Sequence, residues 1–504
     1  MAALLETAED RQATAAGPRL AVLRPSLWLA GAGVVSVLLL VPCFWQSRIQ
    51  AGDLSSHVYN AWLSLLVEQG KAGGLAVVPQ WTNVLFDVIL RFLIKAGGAD
   101  AAQRIAVSAT VLTFFWGAFA LASAVARRRA WFMTPCLAML AYGWAFHKGF
   151  FNFYLSLGIC LWAWALVVRK RTRLRLAAAS LLLLLALLAH AQPVAWTLAV
   201  AGYAALALRL SPRFRLLLAG AALAVIVALR IALVTGLETA WAPEQILFTT
   251  GADQSQYFFA VAGLLLFWSA LIVRHFDSHQ PAALWRSIPL QVFVLTGAGI
   301  ALIPSRILFP MFPAPVFALV RMSLALGVLA CAWLGVTLVR KREFAFITAI
   351  AIGYFSLLYA DTQRINAIED QVESLLKGLP PGQRVISALC DTSGISYHLL
   401  HIVDRACVGR CFSYANYEAA SGQFSLRATG ANPVVLSRHA DVIAVESGTY
   451  VVTDRDAPLY QVFASAGAEP RFQIRSLRPG DIAAATCFES IPLLKGARRS
   501  RVDR

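Results

Sequence analysis

The chain of 504 residues has 59% hydrophobic and only 14% charged residues, and its mean hydropathy is +0.65. Soluble globular domains carry about 25% charged residues, so this composition excludes a soluble globular protein and a disordered one. The net charge of +17 lies almost wholly in residues 1–360, because residues 361–504 hold 16 basic and 15 acidic residues. A basic excess in an apolar region indicates membrane loops and not a nucleic-acid surface.

Eleven apolar segments are candidates for membrane spans, and most have the roughly 17–25 residues needed to cross a bilayer. The first, at 27–45, is longer than the apolar core of a signal peptide, so we expect an uncleaved span after a cytoplasmic N-terminus at 1–26. The other ten lie at about 104–125, 131–147, 150–168, 174–189, 191–208, 214–235, 257–273, 287–303, 314–339 and 343–360.

The distribution of basic residues predicts the orientation of these spans. The short loops that the count places inside are basic, for example 127–129, 169–175 and 340–342, whereas the outer loops hold few basic residues. This asymmetry follows the positive-inside rule. The sequence therefore predicts a polytopic α-helical membrane protein of the inner (plasma) membrane, with a transmembrane domain over 27–360.

Two segments are predicted to lie outside the bilayer, on its periplasmic or extracellular side: a long first loop at 46–103 and a C-terminal domain at 361–504. Strand-like runs at 384–389 and 442–453 and a helix-like run at 362–379 indicate an α/β or α+β domain. Four cysteines in this domain allow two disulfides with three connectivities, which is favoured over metal binding: Cys390, Cys407, Cys411 and Cys487.

The first loop begins with the sharpest polar cluster, Gly-Asp-Leu-Ser-Ser-His at 52–57. Asp53 and His57 are four residues apart and would share one face of a helix, where one could act as a base while the other orients a substrate hydroxyl or a phosphate. The structural alternative is that Asp53 or Ser55 caps a helix at 58–69. Farther along, Asp87 either faces the same cavity or pairs with Arg91 on the next turn.

A tight outer turn at 147–154 combines His147, Lys148 and Asn152 with several aromatic residues. Lys148 could meet a lipid phosphate while the aromatic rings line a lipid chain. The alternative is an interfacial belt, in which lysine and aromatic residues settle at headgroup depth. The turn at 190–193 has the same ambiguity, because His190 can contact substrate or satisfy backbone groups where a helical hairpin reverses.

Two arginines are candidates for binding the phosphate of a lipid-linked substrate. Arg306 lies in the outer loop 304–315, where it can hold a phosphate or extend to the lipid headgroups. Arg321 lies inside an apolar segment, and a buried arginine needs an acidic partner, a phosphate or a water-filled cavity. No HExxH or GxxxxGK[ST] motif occurs, so the sequence names no metal ligands and disfavours an ATP-driven transporter. A divalent metal is compatible with such a site, but its ligands are unknown.

The layout resembles the GT-C superfamily of integral-membrane glycosyltransferases. The resemblance rests on the acidic motif at 52–60 after the first span, on two amphipathic helices at about 58–69 and 82–96, on the approach to the second span at 97–104, and on many spans with an exported C-terminal domain. Many members carry an Asp-Glu pair at this motif, whereas Leu54 follows Asp53 here.

The resemblance implies sugar transfer from a polyprenyl-phosphate donor to a glycan, lipid or protein acceptor on the outer face, with Asp53 as the general base. It does not extend to the other candidates, which are our own: His57 beside the base, and Asp87, His147, Lys148, Asn152, His190, Arg306 and Arg321 in substrate binding. The expected partners are these substrates and membrane lipids, not nucleic acid. The alternatives are a non-enzymatic carrier or flippase of lipid-linked saccharides and an envelope assembly protein.

Overall fold

The computed structural model describes residues 25–241, 257–278, 280–308, 318–391, 399, 401–430, 432–465 and 472–488, and these are mostly helical. Up to residue 377 the elements are, in chain order, α1 (Pro25–Phe44), α2 (Leu54–Glu68), β1 (Leu75–Val77), α3 (Leu85–Ala126), α4 (Thr134–Ala141), α5 (Trp144–His147), α6 (Phe151–Val168), α7 (Arg173–Ala189), α8 (Ala191–Ala207), α9 (Pro212–Gly236), β2 (Glu238–Ala240), α10 (Phe258–Asp277), α11 (Pro281–Trp285), α12 (Ile288–Leu302), β3 (Arg306–Leu308), α13 (Ala318–Arg321), α14 (Ser323–Leu334) and α15 (Lys341–Lys377).

Several of these helices are suited to a membrane. In the described chain, α3, α6, α9, α10 and α15 are long and apolar enough to cross a bilayer, and α1, α12 and residues 319–334 form shorter apolar helices. None of the residues of α9 is buried within the protein. Apolar side chains that face outward all around a helix are stable in lipid, so the helices indicate a membrane-embedded protein.

The predicted first loop contains the two expected helices, as α2 and the first part of α3. The helical geometry of α3 is interrupted by a kink at Gly98, whose φ of 80° lies in the left-handed region that favours glycine. Two of the predicted spans are not continuous helices. The segment 131–147 consists of a 3-10 turn (Trp131–Met133), α4 and α5, and the described part of 314–339 is divided between α13 and α14.

The C-terminal region, residues 378–488, contains a mixed four-stranded sheet in the order β6-β4-β8-β9. Its elements are β4 (Arg384–Ser387), β5 (Leu389–Asp391), α16 (Ile402–Ala406), β6 (Phe412–Ser413), α17 (Tyr417–Ser421), β7 (Leu426–Ala428), α18 (His439–Glu446), β8 (Leu459–Ala464), β9 (Phe472–Leu477) and β10 (Thr486–Phe488). The predicted strand at 442–453 is wrong. Its first part is in α18, because Val442 and Val445 are three residues apart and both face the core.

The C-terminal region is fastened to the rest of the molecule at two places. Strand β1 of the first loop pairs antiparallel with β7, so that Leu75 lies opposite Ala428. Arg405 on α16 is buried and donates to both carboxylate oxygens of Glu369 on α15, at 2.8 and 2.6 Å, and to Gln103 on α3 at 2.8 Å. The region is thus an integral part of one packed structure, and α15, which leads into it, runs without a break through the predicted domain boundary at residue 361.

The cysteines of the C-terminal region form at least one of the two predicted disulfides, Cys407–Cys411, immediately after α16. The parallel pairing of β5 with β10 brings Cys487 into register with Cys390. The sequence left the connectivity of the two disulfides open; the second one stays a prediction, and this register makes Cys390 and Cys487 its candidate pair because adjacent strands lie at a spacing that a disulfide can bridge.

Candidate functional site

Asp53 is held in place by its backbone, at the contact between two segments that the sequence analysis singled out separately. Gly52 N–H donates to the carbonyl of His147 at 2.8 Å, and Asp53 N–H donates to that of Lys148 at 3.1 Å. The facing Gly149 has a φ of 79°, and a Cβ there would lie 2.4 Å from the Asp53 nitrogen. Only glycine permits this close approach, which fixes the start of α2 against the turn between α5 and α6.

The Asp53 side chain does not serve as the predicted helix cap. Asp53 occupies the N-cap position of α2, but its carboxylate makes no capping hydrogen bond. Instead, Oδ1 lies 3.5 Å from Nε2 of His401 in the C-terminal region. The Asp53 side chain is 26% exposed, whereas that of His401 is 6% exposed. The Asp53 carboxylate is therefore partly accessible to solvent, and the buried imidazole of His401 contacts it from within the protein.

His401 is in turn held by Asp404, one turn farther along. The His401 Nδ1 lies 3.1 Å from Oδ2 of Asp404, whose carboxylate also accepts hydrogen bonds from the Ser413 hydroxyl and, at 3.0 Å, from the Asn416 amide. Burial disfavours the charged imidazole, but Asp404 and Asp53 outweigh it and raise the pKa of His401 to about 10. At neutral pH the imidazole is therefore charged, with Nδ1–H donating to Asp404 and Nε2–H lying 3.5 Å from Oδ1 of Asp53.

A second histidine–carboxylate pair lies on the other side of Asp53. The His57 Nδ1 is 2.6 Å from Oδ1 of Asp87, and Asn152 donates to Oδ2 of Asp87 at 2.8 Å. Burial again opposes the charged imidazole, but Asp87, with Glu418 and Asp53 as more distant charges, raises the pKa of His57 to about 9. The predicted pairing of Asp87 with Arg91 is wrong, since Arg91 contacts Glu68 of α2.

Polar residues at the start of α17 connect the two histidine–carboxylate pairs. The Ser56 hydroxyl donates to Glu418 at 3.3 Å and accepts from the Asn416 amide at 3.1 Å. Burial raises the pKa of Glu418 to about 8; the neighbouring carboxylates also raise it, and His57 opposes the shift. The ring of Tyr417 packs on that of His401, with centroids 5.2 Å apart. The site is therefore a connected, largely buried polar network.

A cation and aromatic rings lie beside this network. The Arg321 guanidinium is 4.0 Å from the centroid of the Phe150 ring, and its Nη1 is 3.4 Å from Nε2 of His190. Arg321 is also within electrostatic range of Asp53. His190 has the structural role that we considered: it lies between α7 and α8, and its Nδ1 accepts from Gln192 N–H at 3.2 Å. Burial, and then Arg321, lowers the pKa of His190 to about 3, so its ring is neutral.

The other predicted substrate-binding residues are placed less centrally. His147 is buried, with Nε2 3.4 Å from the Tyr354 hydroxyl, and the Lys148 ammonium lies 5.5 Å from the centroid of the Trp144 ring. The backbone of Arg306 on β3 pairs with Ala240 on β2, and its side chain falls outside the described residues. Of our candidates, the structure joins Asp53, His57, Asp87, Asn152, His190 and Arg321 around one site.

The sequence analysis missed every contribution from the C-terminal region. These residues all fall within a short stretch: His401, Asp404, Ser413, Asn416, Tyr417 and Glu418. The signal available was the spacing of His401 and Asp404, three residues apart at the start of a short helix. Among the described residues there is no group of three or more histidine, cysteine or acidic side chains arranged to hold a metal ion.

Comparisons with known proteins give no further guide to function. No protein-family model matches the chain, and neither a curated protein nor a solved structure matches it. The argument for function therefore rests on the chemistry of the site and on the sequence motif around Asp53.

Proposed function

We propose that the protein is an integral-membrane glycosyltransferase that moves a sugar from a polyprenyl-phosphate donor to a glycan, lipid or protein acceptor at the outer face of the membrane. The observation that carries the proposal is the environment of Asp53, a partly exposed carboxylate that lies 3.5 Å from the His401 imidazole and within electrostatic range of the Arg321 guanidinium. The motif at 52–60 and its two following helices, which resemble those of the GT-C superfamily, support the same reaction.

In this reaction Asp53 accepts the proton of the acceptor hydroxyl as its oxygen attacks the anomeric carbon of the sugar. The bond between that carbon and the phosphate oxygen breaks, and the electron pair leaves with the polyprenyl phosphate. A phosphate leaving group needs no acid to protonate it, so one carboxylate base suffices, in contrast to a glycoside hydrolase. A cation such as Arg321 stabilises the negative charge that develops on the phosphate.

The proposed orientation places Asp53 and the C-terminal region on the side opposite the cytoplasm, with the N-terminus inside and eleven spans. The pairing of β1 with β7 supports one part of this arrangement, because it requires the first loop and the C-terminal region to lie on the same side of the bilayer. The basic loops at 127–129, 169–175 and 340–342 would then face the cytoplasm.

The test compares envelope glycans and polyprenyl-phosphate sugars by mass spectrometry. The cells carry the native protein, no protein, Asp53→Asn, or the matched control Asp441→Asn, which changes a carboxylate on α18 that binds the solvent-exposed Arg438. We expect Asp53→Asn to behave as cells without the protein, losing a glycan and accumulating a lipid-linked sugar, while Asp441→Asn behaves as native.

If Asp53→Asn retains native glycans while cells without the protein lose them, the transferase proposal is wrong. A non-enzymatic carrier or an assembly protein then explains the requirement for the protein. Immunoblotting of the membrane fraction shows whether each variant is present at the native level, which separates loss of chemistry from loss of the protein.

A further inference from the structure

In the part of the chain that the structure describes, the C-terminal region contacts the carboxylate of the proposed base through His401. This residue precedes α16. Two contacts hold α16 in place: the buried contact of Arg405 with Glu369 and, directly after the helix, the Cys407–Cys411 disulfide. His401 is itself 5% exposed. The Nε2 of His401 faces the partly exposed carboxylate of Asp53. A side chain held this firmly sets the position of the carboxylate that it faces.

We propose that His401 and Asp404 are positioning residues for transfer: Asp404 orients the His401 imidazole, and the imidazole holds the Asp53 carboxylate toward the acceptor hydroxyl. This inference rests on the proposed function, and it makes the C-terminal region part of the reacting site and not a cover over it. Neither residue touches substrate in this arrangement, and both act through Asp53.

The contacts around Asp404 explain why the imidazole keeps one orientation. Asp404 is buried and accepts hydrogen bonds from Ser413 and Asn416, so its carboxylate has a fixed plane. A histidine that donates Nδ1–H to such a carboxylate must direct Nε2–H the opposite way. That direction is the one in which Asp53 lies, at 3.5 Å.

The charge of the arrangement favours the same role. The groups that face the His401 ring are the carboxylates of Asp53 and Asp404, the ring of Tyr417 on α17 and, at longer range, Glu446 on α18. An imidazolium between two carboxylates attracts both, so it holds Asp53 oriented before the acceptor binds. Small displacements of a reacting group cost about 100-fold in rate, so the loss of this contact should slow transfer without abolishing donor binding.

The first experiment measures the contact without any substrate. Exchange of the C2 hydrogen of His401 for deuterium, followed by mass spectrometry across pH, reports the protonation midpoint of its ring in the purified full-length protein. We expect a midpoint well above the value of about 6.5 for a free histidine. Asp53→Asn and Asp404→Asn should each lower it by about one pH unit or more, and Asp441→Asn should leave it unchanged.

The second experiment asks whether the contact serves transfer. In the cellular assay described above, His401→Gln and Asp404→Asn should lower the ratio of product glycan to lipid-linked donor by about 10- to 100-fold. Asp404→Glu, which keeps the charge, should recover part of that loss. Asp441→Asn should have no effect on the ratio.

The two proposals fail in different ways. If Asp53→Asn abolishes transfer while His401→Gln and Asp404→Asn match the native ratio, or if Asp53→Asn leaves the His401 midpoint unchanged, the positioning role is wrong and the transferase proposal stands. If Asp53→Asn transfers normally, the transferase proposal is wrong and the positioning role fails with it, even where the midpoint shows that the two side chains touch.

Discussion

The two halves of the polar network contain the same residue types but make different contacts. The loop half consists of His57, Asp87 and Asn152, and the C-terminal half consists of His401, Asp404, Ser413 and Asn416. In the loop half the histidine and the amide satisfy both oxygens of Asp87 at 2.6 and 2.8 Å. In the C-terminal half the imidazole uses only one nitrogen for its own carboxylate and directs the other at Asp53.

This difference indicates which half is structural and which serves the reaction. A histidine–carboxylate pair whose carboxylate accepts from both the imidazole and the Asn152 amide stiffens the start of α2 against α3 and α6. A pair with one nitrogen directed at a partly exposed carboxylate transmits its orientation to that carboxylate. The loop half should therefore dominate stability and the C-terminal half should dominate transfer, and the following predictions test that division.

The largest expected effect comes from Arg405, which fastens the C-terminal half to the rest of the molecule. Arg405→Ala leaves the carboxylate of Glu369, whose side chain is 1% exposed, without its bidentate cationic partner. Breaking a buried ion pair by removing one partner costs about 3–5 kcal/mol. We expect a much lower Tm of the detergent-solubilised protein, measured by intrinsic fluorescence.

The matched control is Arg438→Ala, which removes an arginine from an exposed pair with Asp441. Solvent-exposed pairs contribute little, so this variant should unfold at the native temperature. Equal losses of stability in the two variants would show that Arg405 is not an anchor of the C-terminal half.

The next effect is a loss of stability at alkaline pH, to which both halves contribute. The pKa values of His57 and His401, about 9 and about 10, lie above the value of about 6.5 in an unfolded chain. Each charged imidazole therefore stabilises the folded state fully below about pH 6.5, and this contribution is lost as the pH rises through the folded pKa. For His57 the contribution is on the order of 3 kcal/mol.

Unfolding temperatures at pH 6.5, 8 and 10 measure this dependence. The Tm should fall over that range, and His57→Gln should flatten the fall because the titrating group is gone. The raised pKa of Glu418 acts in the same direction. Burial favours the neutral form of this carboxyl, so its ionisation as the pH rises also lowers the stability of the folded state. A native Tm that is constant or rises from pH 6.5 to pH 10 would contradict the charge state that we assign to both histidines.

A third effect concerns Asp53 itself, which stands between the halves. Gly149→Ala adds a Cβ that would lie 2.4 Å from the Asp53 nitrogen, in a backbone conformation with a φ of 79°. Gly382→Ala is a matched control, because Gly382 has the same φ but no atom within 4 Å of such a Cβ. Both variants carry a left-handed strain of about 1 kcal/mol, and Gly149→Ala adds about 1–3 kcal/mol for the collision.

Comparing the two variants separates the effect of backbone strain from the effect of displacing Asp53. We expect Gly149→Ala to lower the Tm more than Gly382→Ala and also to lower the ratio of product glycan to lipid-linked donor, since Asp53 must move. Gly382→Ala should keep the native ratio. Equal ratios in both variants would mean that transfer tolerates a displaced Asp53.

The sequence predicted the loop half well and the C-terminal half hardly at all. Asp53 and His57 can be identified because they lie four residues apart in the loop that follows the first apolar span, and the helices around them have strong local signals. The turn at 147–149 was also recognised, but its contact with Gly52 was not, since nothing in a single sequence records which loops meet. His401 and Asp404 lie about 350 residues from Asp53, in a region where propensity misplaced a helix as a strand.

The smallest expected effect tests how far the rigidity of the C-terminal half depends on covalent bonding. The Cys407–Cys411 disulfide closes a loop of only five residues, directly after the helix that bears Asp404 and Arg405. Loop-closure entropy assigns such a bond about 2 kcal/mol. Replacing both cysteines by serine should lower the Tm modestly, because Arg405 still anchors α16. The ratio of product to donor should fall less in this variant than in His401→Gln, since the imidazole and its carboxylate remain. A loss of transfer as large as that of His401→Gln, at nearly native Tm, would instead mean that the disulfide itself determines where His401 points.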